Sequence, residues 1–503
     1  MQAVLKTKPY KHQIEGLRKC LGKEYFGLLM QQGTGKTWVT LARALLEWQR
    51  SRIDSLVVVA PKGVYLNWRK EILAHMPDGV CDVVNWSSYK TADVIRGLKR
   101  QLEPCSGAYH VEKKLRVLLI NVEALSTKKV QTKRLRDKDK LTAYEYLQEY
   151  LLANRSLMVV DESTTIKDRN SRRTKQLIEL RGNAPFRMVL SGMPVPKAPT
   201  DIYTQCLFLK RGAIPYLSFK AFEADYVLKK TVRFGHRSFP QVIGYQNLDM
   251  LQEHIAPFTY RVTKKQCLDL PDKIYQVRDV ELSDEQRKAY NELAKTFRTE
   301  ADNGLVTTEI HAMTRVMRLH QIVAGHLVAD DDNGTREITD LKSNRVDDMM
   351  EVLEQHDGQA IIWAIYRHDF AKIKERLLKE GLKVGEYWGA INDKDREAAD
   401  TAFQAGRLDV MLANPAVAAR GRTWTRGSLA IYYTNAYNFE YREQSEDRNH
   451  RIGTEESPLY VDLLARGTVD ERIVLNLKEK KRTGGRLMGD DPHEYVDWFK
   501  DVT

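Results

Sequence analysis

Short, continuous apolar runs recur through the first part of the chain, and each is followed by a turn and a helix-like pattern. The runs are rich in β-branched residues and do not alternate with polar ones, which is typical of strands buried on both faces of a parallel sheet. They lie at residues 27–30, 55–60, 117–121, 157–160 and 188–190. We therefore expect a doubly wound α/β lobe in this part of the chain.

The hydrophobic pattern changes after the last of these runs and returns later. In between, amphipathic helices are predicted at 284–299 and 307–324, the first with Ser283 as its N-cap and Gln286 three residues on. Strand-like runs resume at residues 359–365, 383–387, 408–413, 429–434 and 459–464. The predicted fold class is α/β, with two doubly wound parallel-sheet lobes and a mostly helical insertion. The predicted domains are lobe 1 at 1–205, the insertion at 206–344, lobe 2 at 345–475 and a C-terminal segment at 476–503.

Composition and charge narrow the possible partners. No apolar run approaches the roughly 18 residues of a membrane span, and no secretory signal is evident, so we expect a cytoplasmic protein without membrane contact. The five cysteines have neither metal-ligand nor redox spacing, so no structural zinc is expected. Lysine and arginine number 80 against 68 acidic residues, and the net charge of +12 favours a nucleic-acid partner.

A glycine-bearing turn follows the first apolar run and precedes a helix-forming stretch. Glycines there let backbone N–H groups approach phosphates, and the following helix turns its N-terminus toward them. Lys36 would contact the β- and γ-phosphates, and the Thr37 hydroxyl would bind Mg²⁺. Met30 stands where the full pattern has glycine, so a chance Gly-Lys-Thr turn stays open at this point. The predicted nucleotide-binding residues are Gly33, Thr34, Gly35, Lys36 and Thr37.

Two adjacent carboxylates, Asp161 and Glu162, end the fourth apolar run. The carboxyl ends of strands form the ligand crevice of an open α/β sheet, so both acids should emerge beside the phosphate loop. Asp161 is then expected to hold Mg²⁺, largely through water, and Glu162 to orient and deprotonate the attacking water. Taken alone, such a pair is often a solvated turn.

The order of several further motifs resembles that of superfamily-2 helicases and, within them, the Swi/Snf-like DNA translocases. These motifs are Tyr10-Lys11-His12-Gln13, Ala60-Pro61 with Asn67-Trp68, Ser191-Gly192-Met193-Pro194, a loose basic motif at 418–423 and His450-Arg451-Ile452-Gly453. The resemblance implies RecA-like lobes that hydrolyse ATP with Mg²⁺ and a C-terminal helix that braces them. It also implies that Gln13 contacts the base, that Gly421 contacts nucleotide, and that Ser191 and Gln444 couple hydrolysis to nucleic acid.

Two arginines in the last motif can be interpreted without the family. Arg448 and Arg451 are three residues apart, so on a helix they share one face and can reach one anion together. Guanidinium is permanently charged and binds phosphate oxygens bidentately, so both are predicted catalytic residues with Lys36 and Glu162. A solvated helix face is the alternative.

The acidic motif departs from the pattern of the family. Ser163 and Thr164 replace the Ala-His of many relatives, so coupling through that histidine does not transfer.

Two basic segments are candidates for contact with nucleic acid, although each could also be a solvated loop. The first, at 128–140, has seven basic residues among thirteen, and the second, at 229–237, interleaves basic and aromatic residues as a hairpin would. Trp68 and Trp424 are expected to be core residues rather than stacking platforms for bases. The nucleic-acid candidates are Lys128, Lys129, Lys133, Arg134, Lys229, Lys230, Arg233 and Arg237.

The main functional hypothesis is an ATP-dependent translocase on double-stranded or branched DNA, of the compact kind found in bacteria and phages. An RNA-directed or strand-separating helicase would use the same motor. A nucleic-acid-binding factor that uses nucleotide only as a switch is a third possibility, although it has less need of Glu162. A P-loop small-molecule kinase would not require a second α/β lobe.

Overall fold

The computed structural model of the chain describes residues 4–62, 64–87, 91–103, 114–126, 141–234, 237–302, 309–330, 336–418 and 422–490. The chain forms two compact units. The described residues of unit 1 lie within Met1–Leu228, Tyr245–Asp269 and Arg486–Asp490, and those of unit 2 within Lys229–Gly244 and Leu270–Gly485. None of the described helices is long and apolar enough to cross a membrane.

The secondary structure alternates between strands and helices in both units. In chain order, the strands are β1 (Tyr25–Met30), β2 (Ser55–Ala60), β3 (Cys81–Asn85), β4 (Leu115–Asn121), β5 (Ser156–Asp161), β6 (Phe186–Leu190), β7 (Val227–Phe234), β8 (Arg237–Tyr245), β9 (Thr259–Val262), β10 (Ile274–Asp279), β11 (His326–Asp330), β12 (Arg336–Asp340), β13 (Gln359–Trp363), β14 (Val384–Tyr387), β15 (Val410–Ala413), β16 (Gly427–Tyr432) and β17 (Leu459–Leu464).

The helices are α1 (Lys11–Cys20), α2 (Lys36–Gln49), α3 (Tyr65–His75), α4 (Ala92–Arg100), α5 (Ala143–Ala153), α6 (Arg172–Leu180), α7 (Asp201–Leu209), α8 (Phe219–Tyr226), α9 (Leu248–Ile255), α10 (Lys264–Cys267), α11 (Asp284–Asp302), α12 (Glu309–Ala324), α13 (Arg345–Glu354), α14 (Arg367–Lys379), α15 (Asp393–Gln404), α16 (Pro415–Ala418), α17 (Phe439–Glu446) and α18 (Val469–Met488).

Each unit is built on one parallel sheet, as the apolar runs predict. The sheet of unit 1 has the order β3-β4-β2-β5-β6-β1-β9, and that of unit 2 the order β10-β17-β16-β13-β15-β14. All the pairings within both sheets are parallel. Every residue of β2 and of β5 is buried, which explains why their sequences are continuous apolar runs. The predicted α/β fold class is confirmed.

The segment expected to be mostly helical also contributes strands. β9 joins the edge of the first sheet, and β10 joins the edge of the second. The β10 residues are half exposed and include polar side chains, so no continuous apolar run marks them. β7 and β8 pair as a two-stranded sheet, in agreement with a hairpin near 229–237. The domain boundaries given above stay a prediction.

The two helices predicted for this segment are present as α11 and α12. The N-terminus of α11 carries the expected capping box, because Gln286 N donates to Ser283 Oγ at 3.1 Å and Ser283 N to Gln286 Oε1 at 3.2 Å. The Gln286 amide nitrogen also donates to the carbonyl oxygen of Ile322 at 2.7 Å. One glutamine thus caps α11 and attaches it to α12.

A buried charge network fixes α17 to the sheet of unit 2. The Arg442 guanidinium pairs with both carboxylate oxygens of Asp462 on β17, at 2.5 and 3.0 Å, and with Glu446 at 2.8 Å. It also lies over the Tyr432 ring, 3.4 Å from the ring centroid. Lys273 forms a further pair with Glu446 at 2.8 Å. Because Arg442, Asp462 and Glu446 are all buried, removing one charge would leave the others uncompensated.

We predict that Arg442→Met lowers the local opening free energy of α17 and β17 by about 3–5 kcal/mol, since two buried carboxylates lose their partner. Hydrogen-exchange mass spectrometry of the purified protein measures this opening. Lys379→Met is the matched control, because its ion pair with Glu375 is solvent-exposed and such pairs add little to stability. Equal protection in the two variants would contradict a stabilising role of the network.

Candidate functional site

The phosphate loop joins β1 to α2 in a conformation that requires glycine. Gly33 and Gly35 have φ angles of 80° and 87°, and Gly35 is the N-cap of α2. A Cβ atom on Gly35 would lie 1.9 Å from the Gln13 amide nitrogen. The backbone conformation therefore requires glycine at both positions. The N-terminus of α2 presents backbone N–H groups, which favour binding of an anion.

Lys36 begins α2, and its ammonium group folds back onto the loop. Its Nζ donates to the carbonyl oxygens of Met30, at 3.0 Å, and Gln31, at 3.4 Å. The following residue, Thr37, is partly exposed at the same helix terminus. The loop therefore places the cation and the hydroxyl at adjacent positions, as expected from the sequence.

The acidic pair lies where the parallel sheet predicts. Asp161 ends β5, which is separated from β1 only by β6. Its carboxylate accepts from Trp68 Nε1 at 2.9 Å and from the backbone N–H of Glu162 at 2.9 Å. Burial raises the pKa of Asp161, and the nearby Lys36 ammonium opposes that rise. The charge of Lys36 therefore favours the ionised form of Asp161.

Glu162 contacts the phosphate loop directly. Gln32 Nε2 donates to Glu162 Oε1 at 3.1 Å. Glu162 has a φ of 46°, in the left-handed region that non-glycine residues rarely occupy, which turns the chain sharply after β5. Such strain at a polar residue beside a phosphate loop is typical of functional sites.

The oxygen donors at this edge of the sheet fit a hard divalent cation. The Thr37 hydroxyl and the Asp161 carboxylate are ligand types that Mg²⁺ accepts alongside water and phosphate oxygens. In the part of the chain that the structure describes, no group of three or more His, Cys, Asp or Glu side chains could hold a metal ion. The hydroxyl and carboxylate at this edge are donor types that suit a metal whose other ligands are water and phosphate oxygens.

Gln13 is held against the loop by both ends of its amide. Its Oε1 accepts from the backbone N–H of Tyr10 at 2.9 Å, and its Nε2 donates to the Thr34 carbonyl at 3.4 Å. His12 Nε2 lies 2.7 Å from the same carbonyl oxygen. An open cavity of about 510 Å³ lies beside these residues. It is lined by Tyr10, Lys11, His12, Lys265, Gln266, Cys267, Leu268 and Asp269.

The Ser191 segment follows β6 and packs on the phosphate loop. Ser191 Oγ accepts from the backbone N–H of Met193 at 3.1 Å and is buried. A Cβ atom on Gly192 would lie 2.9 Å from Gln32 Cγ, so this backbone lies against the residue that contacts Glu162. Arg261 Nη1 on β9 donates to the carbonyls of Leu29 and Gly192, both at 2.9 Å. Arg261 therefore joins the strand before the loop to the Ser191 segment.

In unit 2, the two predicted catalytic arginines share one acceptor. Arg448 Nη1 and Arg451 Nη1 donate to the carbonyl oxygen of Arg422, at 2.7 and 3.0 Å. α17 ends at Glu446, so both arginines lie in the turn beyond the helix rather than on a helix face. The backbone N–H of Trp424 donates to the Arg448 carbonyl at 2.7 Å, which holds this turn against Trp424, two residues after Arg422.

The Arg422 side chain is itself held by side chains around it. Arg422 Nη1 pairs with Asp400 Oδ2 on α15 at 3.2 Å, and its Nε donates to the Tyr387 hydroxyl at 3.0 Å. Trp424 Nε1 donates to Asp400 Oδ1 at 2.6 Å, and the Trp424 ring is fully buried. Trp68 is buried as well, so both tryptophans are core residues, as expected.

The remaining predicted residues fall into three groups. Gln444 is buried on α17, and its carbonyl oxygen accepts from Arg448 Nε at 2.8 Å. Lys229 and Lys230 are exposed on β7, while Arg233 lies on β7 and Arg237 begins β8. Gly421 and the basic segment at 128–140 lie outside the described residues. That segment contains Lys128, Lys129, Lys133 and Arg134.

Comparison with known proteins agrees with this arrangement. The SNF2-related domain family matches residues 12–327, and the helicase conserved C-terminal domain matches residues 342–453. The chain belongs to the SNF2-related family. The predicted resemblance to Swi/Snf-like superfamily-2 helicases is therefore confirmed.

Individual relatives of this SNF2-related chain are distant. It is 23% identical to an uncharacterized ATP-dependent helicase of Mycoplasma genitalium over 505 residues, which is 98% of this chain and 43% of that protein. It is 23% identical to the DNA annealing helicase and endonuclease ZRANB3 of Homo sapiens over 67% of this chain and 30% of that protein. The solved SWI2/SNF2 ATPase core of Sulfolobus solfataricus in complex with dsDNA is similar over 99% of this chain and 98% of its own, at 20% identity and a TM-score of 0.39. The chain thus spans less than half the length of the two curated relatives.

Three residues of the site in this SNF2-related chain escaped the sequence reasoning: Gln32, Trp68 as a partner of Asp161, and Arg261. Gln32 lies inside the loop motif, and its amide can both donate and accept hydrogen bonds. That property was the sequence signal that could have indicated a contact with another residue of the site. Arg261 lies 69 positions from Gly192, and nothing local in the sequence marks that contact. Such partners emerge only when the sheet order is known.

We predict that Gly35→Ala abolishes nucleotide binding, because its Cβ would collide with the Gln13 amide and its φ of 87° disfavours any side chain. Titration with a fluorescent ATP analogue measures the affinity. Gly182→Ala is the control, because no heavy atom lies within 4 Å of its added Cβ. Unchanged affinity in Gly35→Ala would show that the loop does not bind nucleotide in this conformation.

Proposed function

We propose that this chain is an ATP-dependent translocase that moves along duplex or branched DNA. The observation that carries the proposal is the hydrogen bond of Gln32 to Glu162, which joins the phosphate loop to a carboxylate able to activate water. A loop that binds phosphate and a base poised beside it are the two halves of a hydrolytic site.

The residues of unit 1 suggest how ATP is bound and hydrolysed. The loop glycines and the N-terminus of α2 would bind the phosphates, and Lys36 would leave its carbonyl acceptors for the β- and γ-phosphate oxygens. Thr37 and Asp161 would hold Mg²⁺, which neutralises phosphate charge. Glu162 would orient the attacking water and accept its proton. The cavity beside Gln13 and His12 would take the adenine base.

Arg448 and Arg451 would complete the reaction by stabilising charge on the transferred phosphoryl group. Arginines in this role are worth about 10³–10⁵ in rate in other phosphoryl-transfer enzymes. Ser191 and Gln444 would couple hydrolysis to nucleic acid.

DNA is the partner that the family and the charge favour. One relative is named a DNA annealing helicase, and the net charge of +12 suits a polyanion. Exposed lysines on the β7–β8 hairpin offer one contact surface. An RNA-directed or strand-separating helicase is the second candidate. A nucleotide switch without turnover is less well supported, because Glu162 is present and held beside the loop.

We predict that duplex DNA stimulates ATP hydrolysis by the wild-type protein and that two substitutions remove this activity by different routes. Lys36→Ala should lower kcat by about 100-fold or more through lost phosphate contacts. Glu162→Gln should lower kcat by about 10²–10⁴ while nucleotide still binds, because only the proton acceptor is lost. A phosphate-release assay with duplex DNA, forked DNA, single-stranded DNA and RNA measures both effects.

Lys379→Gln, on an exposed helix surface of unit 2, is the control for general effects of charge removal. Stimulation by RNA alone would favour the RNA-directed helicase. Vigorous hydrolysis indifferent to every nucleic acid would refute a translocase. Nucleotide binding without hydrolysis in the wild type would favour the switch.

We predict that the double substitution Lys229→Gln and Lys230→Gln weakens duplex binding and flattens its salt dependence. Each lost phosphate contact reduces the slope of log K against log salt by about 0.9. Fluorescence anisotropy of labelled duplex at several salt concentrations gives the slope, with Lys379→Gln as the exposed control. A slope equal to that of wild type would exclude these lysines from the DNA interface.

A further inference from the structure

A buried glutamine on α7 links the acidic pair to the Ser191 segment. The Ser163 hydroxyl, directly after Glu162, donates to Gln205 Oε1 at 2.6 Å. Gln205 Nε2 donates to the carbonyl oxygens of Pro194, at 2.7 Å, and Asp201, at 2.8 Å. Ser163 and Gln205 are both fully buried. The glutamine therefore lies between the residue after the catalytic carboxylate and the last residue of Ser191-Gly192-Met193-Pro194.

The orientation of this amide is fixed by its partners. Two carbonyl oxygens face one end of the Gln205 side chain, and only the NH₂ group can donate to both. The amide oxygen must then face Ser163, which leaves the serine hydroxyl as donor. Every polar group of the side chain is thus satisfied, and a shift of Pro194 is resisted by a hydrogen bond that ends at Ser163.

The backbone next to Ser163 connects this hydrogen-bonded link to Glu162. Ser163 follows a residue with a φ of 46°, so the direction of the Glu162 side chain depends on where Ser163 is held. The other end of the Ser191 segment reaches Glu162 as well, because Gly192 packs on Gln32 and Gln32 donates to the carboxylate. Glu162 is therefore fixed from two sides by the same segment.

We infer that Gln205 is the positioning residue that transmits movement of the Ser191 segment to Glu162, and that Ser163 receives it. The inference rests on the proposed function and goes further, because it assigns the coupling to a residue outside every motif. It also gives a physical meaning to Ser163. Many relatives have a histidine where this chain has Thr164, so coupling through that histidine is not available here. The Ser163 hydroxyl supplies a link to the Ser191 segment instead.

The test compares Ser163→Ala, Gln205→Met and the double variant in a steady-state ATPase assay at saturating duplex DNA. Both single substitutions remove the Ser163–Gln205 hydrogen bond, and methionine keeps the length of glutamine without its donors. We expect kcat to fall by roughly tenfold to a hundredfold in Gln205→Met, as for other small misplacements of catalytic groups. The affinity for a fluorescent ATP analogue should stay within about twofold of wild type, since no phosphate contact is lost.

The double variant tests whether the two residues act through one contact. Its kcat should equal that of Gln205→Met within about twofold, because the shared hydrogen bond is lost only once. Multiplication of the two single effects would overturn the inference. So would wild-type kcat in Gln205→Met, or a loss of nucleotide affinity as large as the loss of kcat. If Gln205→Met fails to fold, Ser163→Ala, which deletes a single oxygen, decides the question alone.

Thr204→Val is the matched control, because Thr204 is the buried neighbour of Gln205 on α7 and donates only to the Lys167 carbonyl, at 3.1 Å. Thr204→Val should keep kcat within about twofold of wild type. A loss of kcat equal to that of Gln205→Met would show that both variants act through altered packing of α7, which would contradict the inference. A wild type that hydrolyses ATP equally with and without DNA would refute the translocase proposal, yet the comparison of kcat values would still judge Gln205. A wild type without any hydrolysis would refute both.

Discussion

The parallel pairing of three neighbouring strands is the constraint on which the candidate site depends. Because β5, β6 and β1 run side by side in one direction, the segments that follow them emerge at the same edge of the sheet. The acidic pair, the Ser191 segment and the phosphate loop are therefore neighbours, although about 160 residues separate the first of these segments in the chain from the last. The parallel sheet already places these segments close together, and the hydrogen bonds of Gln32, Arg261 and Gln205 fix their exact positions.

Burial supports the site in different ways in the two units. In unit 1, continuous apolar strands make up the sheet, and the polar side chains buried beside the site are held by hydrogen bonds such as those of Trp68 to Asp161 and of Ser163 to Gln205. In unit 2, the buried Arg442 network carries several full charges that neutralise one another. Such a network stabilises only when complete, so it favours one arrangement of α17 against the sheet. The turn that bears Arg448 and Arg451 begins directly where that helix ends.

Much of the fold could be predicted because central strands are buried on both faces. β2 and β17 were predicted at the bounds observed, since their side chains are apolar or small at every position but one. The exception is Asp462 on β17, whose charge is paired with Arg442. In the two parallel sheets, the strands that were missed are β3, β9 and β10, all at sheet edges, where partial exposure allows polar residues. The separate pair β11 and β12 was missed as well. The residues proposed to contact phosphate and metal could be picked out because that chemistry demands particular residue types in local order. Partners such as Arg261 were not, because tertiary pairing alone brings them to the site.

The single carbonyl that both arginines of unit 2 share has a thermodynamic consequence. A peptide oxygen has two lone pairs, and Arg448 and Arg451 together occupy them, so the two guanidinium groups are docked as one. The Arg422 carbonyl is a neutral acceptor, whereas an anion adds Coulomb attraction to each guanidinium group. An anion would therefore bind the two arginines more strongly than this carbonyl does, and the Arg422 side chain would stay paired with Asp400. The hydrogen bonds to the Arg422 carbonyl thus keep both guanidinium groups ordered, and they are weak enough to break when an anion binds.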